Sequence, residues 1–312
     1  MVEELRKQTK NNGLLSVREV PVELAKELTV KNHYSHKWAS TFGLINFGIF
    51  KDNNPECLGV AVFGHLMNPN SYASICEGIE KDGIIELNRL WLDDVLGKNA
   101  ETTFLAMCFK LIKKNYPHIK LVQSFADGRL GCGTIYKAAN FAYFGSTESL
   151  FFEHKQTNVV QHKVPFEDTR SLASLALLNL ELVRGNYKPF KVKTYRYIYV
   201  LDKNYEKRIK FKRLPYPEYS KGIYYLPEFT QSIGVLSRAY MAFYWLNDDA
   251  SMTQIKSYIT KHYGVLSHNQ IRKHSESKTM NKYLADEDAA KEKLKRSYSL
   301  LVQKLGKTEV VA

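Results

Sequence analysis

The stretch that decides the fold is Glu86–Gly145. It reads ELNRLWLDD (86–94), FLAMCFKLIKK (104–114), KLVQSFADG (120–128) and GTIYKAANFAYFG (133–145). Residues 86–94 alternate apolar and polar side chains before a double acid, which predicts a half-buried strand. Apolar residues at helical spacing, closed by Lys113 and Lys114, predict a helix over 104–114. The two later segments predict a second strand at 121–125 and a second helix at 135–141. The order is therefore strand, helix, strand, helix.

A helix that connects two strands of one sheet implies that the strands run parallel. Their carboxyl ends then lie at the same edge of the sheet, where ligand crevices form. Arg89, Ser124, Asp127 and Tyr136 are polar residues at or near these strand ends. We expect them to lie around one crevice.

Composition limits the class of protein. The chain has 312 residues, 44% hydrophobic and 12% aromatic, and a formal net charge of +13. This charge favours a polyanionic partner such as DNA or RNA. No apolar run is long enough for a membrane span, and the charged N-terminus does not resemble a secretory signal. The four cysteines have no paired spacing, which indicates reduced thiols and a cytoplasmic location.

Before the central stretch, the sequence predicts a helix over Val20–Val30 that leads into NHYSHKW (32–38). Two apolar strands, Phe42–Phe50 and Leu58–Phe63, are joined by the turn formers KDNNPE, which predicts an antiparallel hairpin. A hairpin followed by strand, helix, strand and helix is the order of a GCN5-related N-acetyltransferase core. In that fold two adjacent parallel strands splay apart to admit the acyl donor.

Five motifs extend this likeness: NHYSH (32–36), ELNRLWL (86–92), SFADGRLGCGTIYKAANFAYFG (124–145), RYIYVLD (196–202) and LPYPEY (214–219). Together they resemble the Mom family of phage DNA-modification proteins over roughly residues 15–220. The resemblance implies an α+β fold, with an acetyltransferase-like mixed central sheet flanked by helices. It also implies transfer of an acyl-derived, carbamoylmethyl-like group to the exocyclic amino group of adenine in DNA, which protects the DNA from restriction in the host cytoplasm.

The resemblance also implies roles for residues. Asp127 is expected as the base or as the group that orients it, and Tyr136 as the general acid. Ser124 and Arg89 are expected as hydrogen-bond donors. His33 and Tyr34 reach the same crevice from the first helix.

Cofactors are a further expectation. Two histidines and a carboxylate, His33, His36 and Asp127, form a type of ligand set that binds non-haem iron, which has been proposed for this family. The sequence does not determine the acyl donor, for which acetyl-CoA and aminoacyl-tRNA are the alternatives. The turn before the first helix of the central stretch, VLGKNAETT, has one glycine, so Lys98 and Asn99 are its phosphate-binding candidates. An ordinary helix connection explains this turn equally well.

The remainder of the chain is basic and then helical. Tyr187–Tyr225 interleaves cations with tyrosines, and Lys191, Lys193, Tyr195 and Arg196 are its nucleic-acid-binding candidates, although a packed tyrosine-rich strand explains the same pattern. Three prolines at 215, 217 and 227 indicate a linker. We therefore expect a catalytic domain at 1–228 and a helical accessory domain at 229–312.

Within the accessory domain, Gly264 and Ser267 separate two helices in the manner of a helix-turn-helix. Arg272 and Lys273 lie on the second of these helices and are candidates for contact with duplex DNA. A small helical bundle is the alternative interpretation.

The expected partner is double-stranded DNA with an adenine flipped out of the stack. Two other classes of function fit the same sequence. One is an acyl- or aminoacyl-transferase that acts on tRNA, and the other is a non-catalytic nucleic-acid-binding protein on an acetyltransferase scaffold. The oligomeric state is not determined by the sequence.

Overall fold

The computed structural model of the protein describes residues 3–10 and 12–308. Within them the chain forms two compact units. The first runs to Glu148 and includes Lys193–Gly222, and the second contains Ser149–Val192 and the residues from Ile223 onward. These boundaries differ from the expected 1–228 and 229–312, because residues 149–192 pack with the C-terminal helices.

The strands and helices follow one another in this order: β1 (Glu4–Thr9), β2 (Gly13–Glu19), α1 (Val22–Asn32), β3 (Ile45–Lys51), β4 (Gly59–Gly64), α2 (Tyr72–Ile75), β5 (Ile84–Leu92), α3 (Ala100–Asn115), β6 (Leu121–Asp127), α4 (Thr134–Ala138), β7 (Ala142–His154), β8 (Val160–His162), α5 (Val164–Glu167), α6 (Leu172–Val183), β9 (Tyr187–Val200), β10 (Ile223–Tyr225), α7 (Ile233–Leu246), α8 (Asp249–Tyr263), α9 (His268–Ser275), α10 (Lys278–Ala285) and α11 (Glu287–Thr308). The mixed sheet, its flanking helices and the C-terminal helices confirm the predicted α+β class. None of the helices described is both long and apolar enough to cross a membrane.

The sheet of the first unit has the strand order β1-β2-β3-β4-β5-β6-β9. Adjacent strands of this sheet pair antiparallel, with one exception. Strands β5 and β6 pair parallel and are connected through α3. The predicted crossover is therefore confirmed. The parallel pairing covers only three residue pairs and ends at Glu86 and Gln123. Beyond them the two strands diverge, as the acetyltransferase resemblance implies.

A β-bulge lies on β5 at the point of divergence. Val62 of β4 pairs with Arg89, whereas the next residue, Phe63, pairs with Leu87, so Asn88 is the additional residue. A bulge bends its strand and redirects neighbouring side chains. It contributes to the opening between β5 and β6.

The core of the first unit lies between α3 and the sheet. The residues that predicted this helix, Leu105, Cys108, Phe109 and Ile112, are at most 2% exposed. Phe109 contacts Tyr199 of β9 in a stacked arrangement with the ring centroids 4.1 Å apart. The helical spacing in the sequence thus identified the buried face correctly.

Two local predictions differ from the structure. The second helix of the central stretch is only Thr134–Ala138, because Asn140 takes a left-handed conformation (φ 63°) and reverses the chain into β7. The N-terminal hairpin of β1 and β2 was not predicted. Charged and polar side chains dominate β1, which lies at the edge of the sheet with several exposed residues.

The second unit has a helical core. The apolar segment Leu172–Val183 forms α6, and Leu175 and Ala176 lie in one apolar cluster with α7 residues such as Leu236 and Phe243. The α8 helix ends at Gly264 (φ 85°), and Ser267 and Gln270 form a capping box at the start of α9. Both predicted boundaries of this turn are confirmed.

Candidate functional site

A cavity of about 420 Å³ lies in the first unit where β5 and β6 diverge. This size falls within the range of about 300–1,000 Å³ that is usual for small-molecule sites. Residues from the end of α1, from β5, β6, α4 and the loop before it, and from a later loop line it: His33, Tyr34, Asn88, Arg89, Leu90, Trp91, Leu92, Glu101, Phe125, Ala126, Asp127, Leu130, Gly131, Gly133, Thr134, Ile135, Tyr136 and Tyr219. Five of the predicted site residues therefore line one cavity, and the sixth, Ser124, hydrogen-bonds to a lining residue.

Ser124 joins the diverging strands. Its buried hydroxyl oxygen lies 2.9 Å from the carbonyl oxygen of Leu87 and 2.9 Å from the phenolic oxygen of Tyr136. A hydroxyl has one proton to donate. When Ser124 donates to Leu87, Tyr136 therefore donates to Ser124.

Tyr136 is held by aromatic neighbours. Its ring stacks on Tyr197 at 5.1 Å and meets Phe141 edge-on at 5.2 Å. Burial raises the pKa of Tyr136 to about 12, with a smaller opposing effect of the Ser124 hydrogen bond. The phenol therefore keeps its proton near neutral pH and can act as an acid.

Arg89 carries a positive charge into the cavity. Its Nη1 donates to the carbonyl oxygen of Asn88 at 2.6 Å, and its Cζ lies 4.5 Å from the ring centroid of Phe42. Its Nε is buried without a hydrogen-bond partner, and no ion pair involves Arg89 among the described residues. Arg89 therefore forms no ion pair with Glu86 or Asp93, the carboxylates near it in sequence. Burial lowers the pKa of Arg89, while the group remains cationic.

A polar cluster lies where the pairing of β5 with β6 ends. Glu86 is 5% exposed and accepts hydrogen bonds from Asn88 Nδ2 (3.1 Å) and Gln123 Nε2 (3.3 Å). Burial raises the pKa of Glu86. Gly64 on β4 makes room for this cluster, because a β-carbon there would lie 2.4 Å from Asn88 Oδ1. The cluster fixes the side chain of Asn88 beside the cavity.

Asp127 is paired with Arg129. Its Oδ2 accepts from Arg129 Nη2 at 2.5 Å, and its Oδ1 accepts from the Nε and from the backbone N–H of the same residue, each at 3.0 Å. The hydrogen bond to Asp127 raises the pKa of Arg129. The carboxylate is thus fixed in orientation, with its side chain 18% exposed.

His33 and Tyr34 lie together at the end of α1. Their ring centroids are 4.2 Å apart, and His33 Nδ1 accepts from the backbone N–H of Ser35 at 3.2 Å. Burial, with the nearby charge of Arg89, lowers the pKa of His33 to about 4. Near neutral pH the imidazole is uncharged, and its proton is on Nε2.

The expected iron ligands do not come together. Among the described residues no three His, Cys, Asp or Glu side chains form a group suited to a metal ion. His36 is exposed with a positive φ of 47°, and its Nδ1 lies 2.9 Å from the carbonyl oxygen of Val30. His33 contacts Ser35, and Asp127 is occupied by Arg129. The set His33, His36 and Asp127 therefore does not fit an iron ion.

Lys98 and Asn99 lie at the start of α3. Asn99 is left-handed (φ 64°) and makes no side-chain capping bond, so the first N–H groups of the helix are uncapped. The adjoining depression, however, is lined by Asp93, Asp94 and Glu101 with Lys98 as its one basic residue. Three carboxylates beside one lysine repel a pyrophosphate. This turn does not fit the phosphates of coenzyme A.

The predicted nucleic-acid-binding residues differ in their burial and in their contacts. Tyr195 is 4% exposed and belongs to the core, so it is not available to stack on bases. Arg196 lies with its Cζ 4.1 Å from the ring centroid of Phe211 and 5.4 Å from that of Phe125, and the latter lines the cavity. In the second unit, Nζ of Lys191 lies 5.9 Å from the ring centroid of Tyr224. Arg272 pairs with Glu287 at 2.6 Å, whereas the neighbouring Lys273 is exposed.

Several residues of the cavity were not predicted. Asn88, Trp91 and Phe125 were overlooked within the strands, and Leu130 and Tyr219 within the loops. The loop sequence ADGRLGCG (126–133) contained a signal in its three glycines. Gly128 is required, because a β-carbon there would lie 2.4 Å from the carbonyl oxygen of Lys193.

A sequence model of the Mom protein family matches residues 14–218. The chain belongs to the Mom family. The matched range includes the described cavity lining except Tyr219, which follows one residue beyond it. A relative in this family is the methylcarbamoylase mom of Escherichia phage Mu. It is 31% identical over 208 residues, which are 65% of this chain and 84% of the relative.

Solved acetyltransferase structures are also similar to this chain at low identity. Arabidopsis thaliana NAA60 in complex with acetyl-CoA has 11% identity and a TM-score of 0.37, covering 60% of this chain and 99% of its own. The ribosomal-protein-S5-alanine acetyltransferase of Vibrio fischeri has 8% identity and a TM-score of 0.37, covering 64% and 98%.

Proposed function

We propose that this Mom-family protein transfers a carbamoylmethyl-like group to the exocyclic amino nitrogen of adenine in DNA and so protects phage DNA from restriction in the host cytoplasm. The observation that carries the proposal is its 31% identity to the phage Mu methylcarbamoylase over 208 residues, together with a family match over residues 14–218 that contains all of the described cavity lining except Tyr219. The cavity supplies an acid, a carboxylate and an unpaired cation within one small volume, which suits a group transfer.

The chemistry of transfer to the adenine amino group determines the roles of the site residues. The amino group of adenine is a weak nucleophile because its lone pair is delocalised into the ring. As the bond from nitrogen to the transferred carbon forms, the bond from that carbon to the donor's leaving group breaks, and the nitrogen becomes acidic. Asp127, a carboxylate at the cavity, is the group that takes this proton as the nitrogen becomes acidic. Arg129 holds the carboxylate in place.

Tyr136 then gives a proton to the departing group of the donor. Its pKa of about 12 keeps the phenol protonated until the reaction makes a stronger base. Ser124 lies 2.9 Å away and orients the phenol through a hydrogen bond. His33, neutral near pH 7, positions Tyr34 rather than carrying charge.

Arg89 binds the oxygen of the transferred group. A half-buried guanidinium that has no carboxylate partner among the described residues gains most from a ligand that brings an anion or a developing oxyanion. This role accounts for the position of Arg89 beside the bulge of β5, where its side chain lines the cavity.

Mass spectrometry of nucleosides is the decisive experiment. DNA and tRNA are isolated from cells that express the protein, digested and compared with those of cells expressing Tyr136→Phe. We expect a new adenine derivative in the DNA only. A new derivative in tRNA alone would favour the aminoacyl-transferase alternative, and the absence of both would favour non-catalytic binding.

Isotope labelling identifies the donor in the same assay. A glycyl group contains all the atoms of a carbamoylmethyl group, whereas an acetyl group supplies the two carbons without the nitrogen and would also require a nitrogen donor and a two-electron oxidant. Cells are therefore fed carbon-13 acetate or carbon-13 glycine. Fragmentation separates the added group from the adenine ring, because carbons of glycine also enter the purine ring during its biosynthesis. The label found in the added group distinguishes acetyl-CoA from an aminoacyl donor.

The formal charge of +13 supports DNA as the partner. Lys191 and Lys193 on β9, and Lys273 on α9, are the residues we assign to phosphate contacts. Charge reversal at Lys191 and Lys193 should weaken binding to all duplex sequences alike and reduce the dependence of the affinity on salt. An affinity that does not change with salt would contradict this assignment.

A further inference from the structure

Exposed apolar side chains surround the opening of the cavity. Leu130 is 57% exposed, Tyr219 72%, Tyr34 51% and Ile135 40%, and all four line the cavity. Single exposed apolar residues are common on protein surfaces, but a group of them around one cavity marks a contact surface. Leu130 differs from the others because it lies at the tip of a turn.

The turn that carries Leu130 is firmly anchored. The N–H of Leu130 donates to the carbonyl oxygen of Asp127 at 2.9 Å, and the Arg129 guanidinium donates to the Asp127 carboxylate. The N–H of Gly128 donates to Lys193, and its carbonyl oxygen accepts from Gly222, each at 2.8 Å. An apolar side chain is thus held in solvent by a rigid backbone.

Tyr219 supports the other side of this turn. Gly131, which follows Leu130, has a φ of 128°, and a β-carbon there would lie 3.2 Å from Cε2 of Tyr219. The tyrosine ring therefore lies against the glycine backbone. Leu130, which precedes Gly131, and the Tyr219 ring are both exposed at the cavity, and we call this pair the apolar ridge.

Positive charge flanks this ridge. The backbone carbonyl of Lys193 accepts from the N–H of Gly128, and Lys221 precedes Gly222, the other backbone partner of the turn, whereas the charge of Arg129 is paired with Asp127. Lys137 lies on α4 just beyond the glycine loop. An apolar ridge among cations is complementary to a nucleic acid, in which phosphates flank stacked bases.

We propose that Leu130 is the wedge that enters the base stack of duplex DNA when the target adenine is extruded into the cavity, with Tyr219 stacking on an adjacent base. This inference rests on the proposed function, because it requires adenine in a duplex as the substrate. Extruding a base costs a few kcal/mol, and an inserted apolar side chain offsets part of that cost by refilling the stack.

Base extrusion can be measured without the donor. The probe is a duplex from a site found modified in cells, with 2-aminopurine in place of the target adenine. The full-length protein should raise its fluorescence several-fold. Leu130→Ala should lose most of this rise, while Leu130→Phe retains it and Leu44→Ala, a control at a leucine that is 49% exposed and outside the cavity lining, matches wild type.

A second substrate separates the wedge from the chemistry. In cell extracts, Leu130→Ala should modify an ordinary duplex about tenfold less than wild type, since about 1.4 kcal/mol corresponds to tenfold. It should modify a duplex with an abasic site opposite the adenine at nearly the wild-type level, because that adenine is already free to leave the stack. An equal loss on both substrates, or unchanged fluorescence in Leu130→Ala, would overturn the wedge. If wild type yields no modified adenine in DNA at all, the proposed function itself fails.

Discussion

The phenolic oxygen of Tyr136 lies 2.9 Å from the hydroxyl oxygen of Ser124, which in turn lies 2.9 Å from the carbonyl oxygen of Leu87. This chain of hydrogen bonds crosses from α4 through β6 to β5 just beyond the last parallel pair, Glu86 and Gln123. Side-chain hydrogen bonds therefore replace backbone pairing at the point where the strands diverge. The Ser124 hydroxyl that links β6 to β5 thus also orients Tyr136, the proposed acid.

Replacing Tyr136 with Phe should reduce DNA modification by about a hundredfold or more, because the ring remains but the transferable proton is lost. The new adenine derivative is measured by mass spectrometry at matched expression. Tyr199→Phe is the control, since that ring stacks on Phe109 outside the cavity lining. Equal loss in both variants would indicate damage to the core rather than loss of an acid.

Replacing Arg89 with Met should abolish modification without lowering stability. No carboxylate among the described residues forms an ion pair with Arg89, and the nearby buried Glu86 keeps its hydrogen bonds from Asn88 and Gln123 when Arg89 is removed. We expect a melting temperature within about 2–4 °C of wild type, which corresponds to roughly 1 kcal/mol. Arg18→Met is the control, because Arg18 also lies over a ring, that of Phe50 at 3.8 Å, but outside the cavity lining. A large drop in melting temperature would mean that Arg89 is structural.

Substitutions of Asp127 and of Arg129 should reduce DNA modification to different extents. Asp127→Asn removes the proposed base and should lower modification by about a hundredfold or more. Arg129→Gln keeps the carboxylate but frees its orientation, so we expect a smaller loss of about tenfold. Rates of formation of the adenine derivative compare the two. The assignment of the base to Asp127 is wrong if Arg129→Gln is the more damaging change.

Stability should depend on the protonation of His33. Its pKa is lowered to about 4 in the folded protein from 6.5. The unfolded chain therefore binds more protons between these values, and the folded state loses up to about 3 kcal/mol as the pH falls from 6.5 to 4. Urea unfolding across this range should show the loss, and His33→Gln should flatten it. His65→Gln, at an exposed histidine, should leave the slope unchanged.

Truncation after Leu226 should produce an insoluble or unfolded protein. It removes α7, whose Leu236 and Phe243 belong to the same apolar cluster as Leu175 and Ala176 of α6, and it leaves α6 in the chain. The uncovered face of α6 would promote aggregation. Circular dichroism and gel filtration of the residues 1–226 test this. A soluble, folded fragment would show that residues 149–192 do not need the C-terminal helices.

The sequence alone determined the order of the central elements and five of the residues that line the cavity. Period-2 alternation identified β5, and helical spacing identified α3, because these patterns record which face of an element is buried. The crossover connection then required β5 and β6 to be parallel. Arg89, Asp127 and Tyr136 could be grouped from that requirement, since parallel strands end at the same edge.

The tertiary structure decided how those residues are paired. The bulge at Asn88, the ion pair of Asp127 with Arg129 and the separation of His36 from the cavity each depend on backbone angles and on neighbours distant in sequence. Spacing cannot distinguish a buried tyrosine from an exposed one on the same strand, so Tyr195 could not be told from a stacking residue. The unit boundaries depend on long-range packing of α6 against α7, which local composition does not encode.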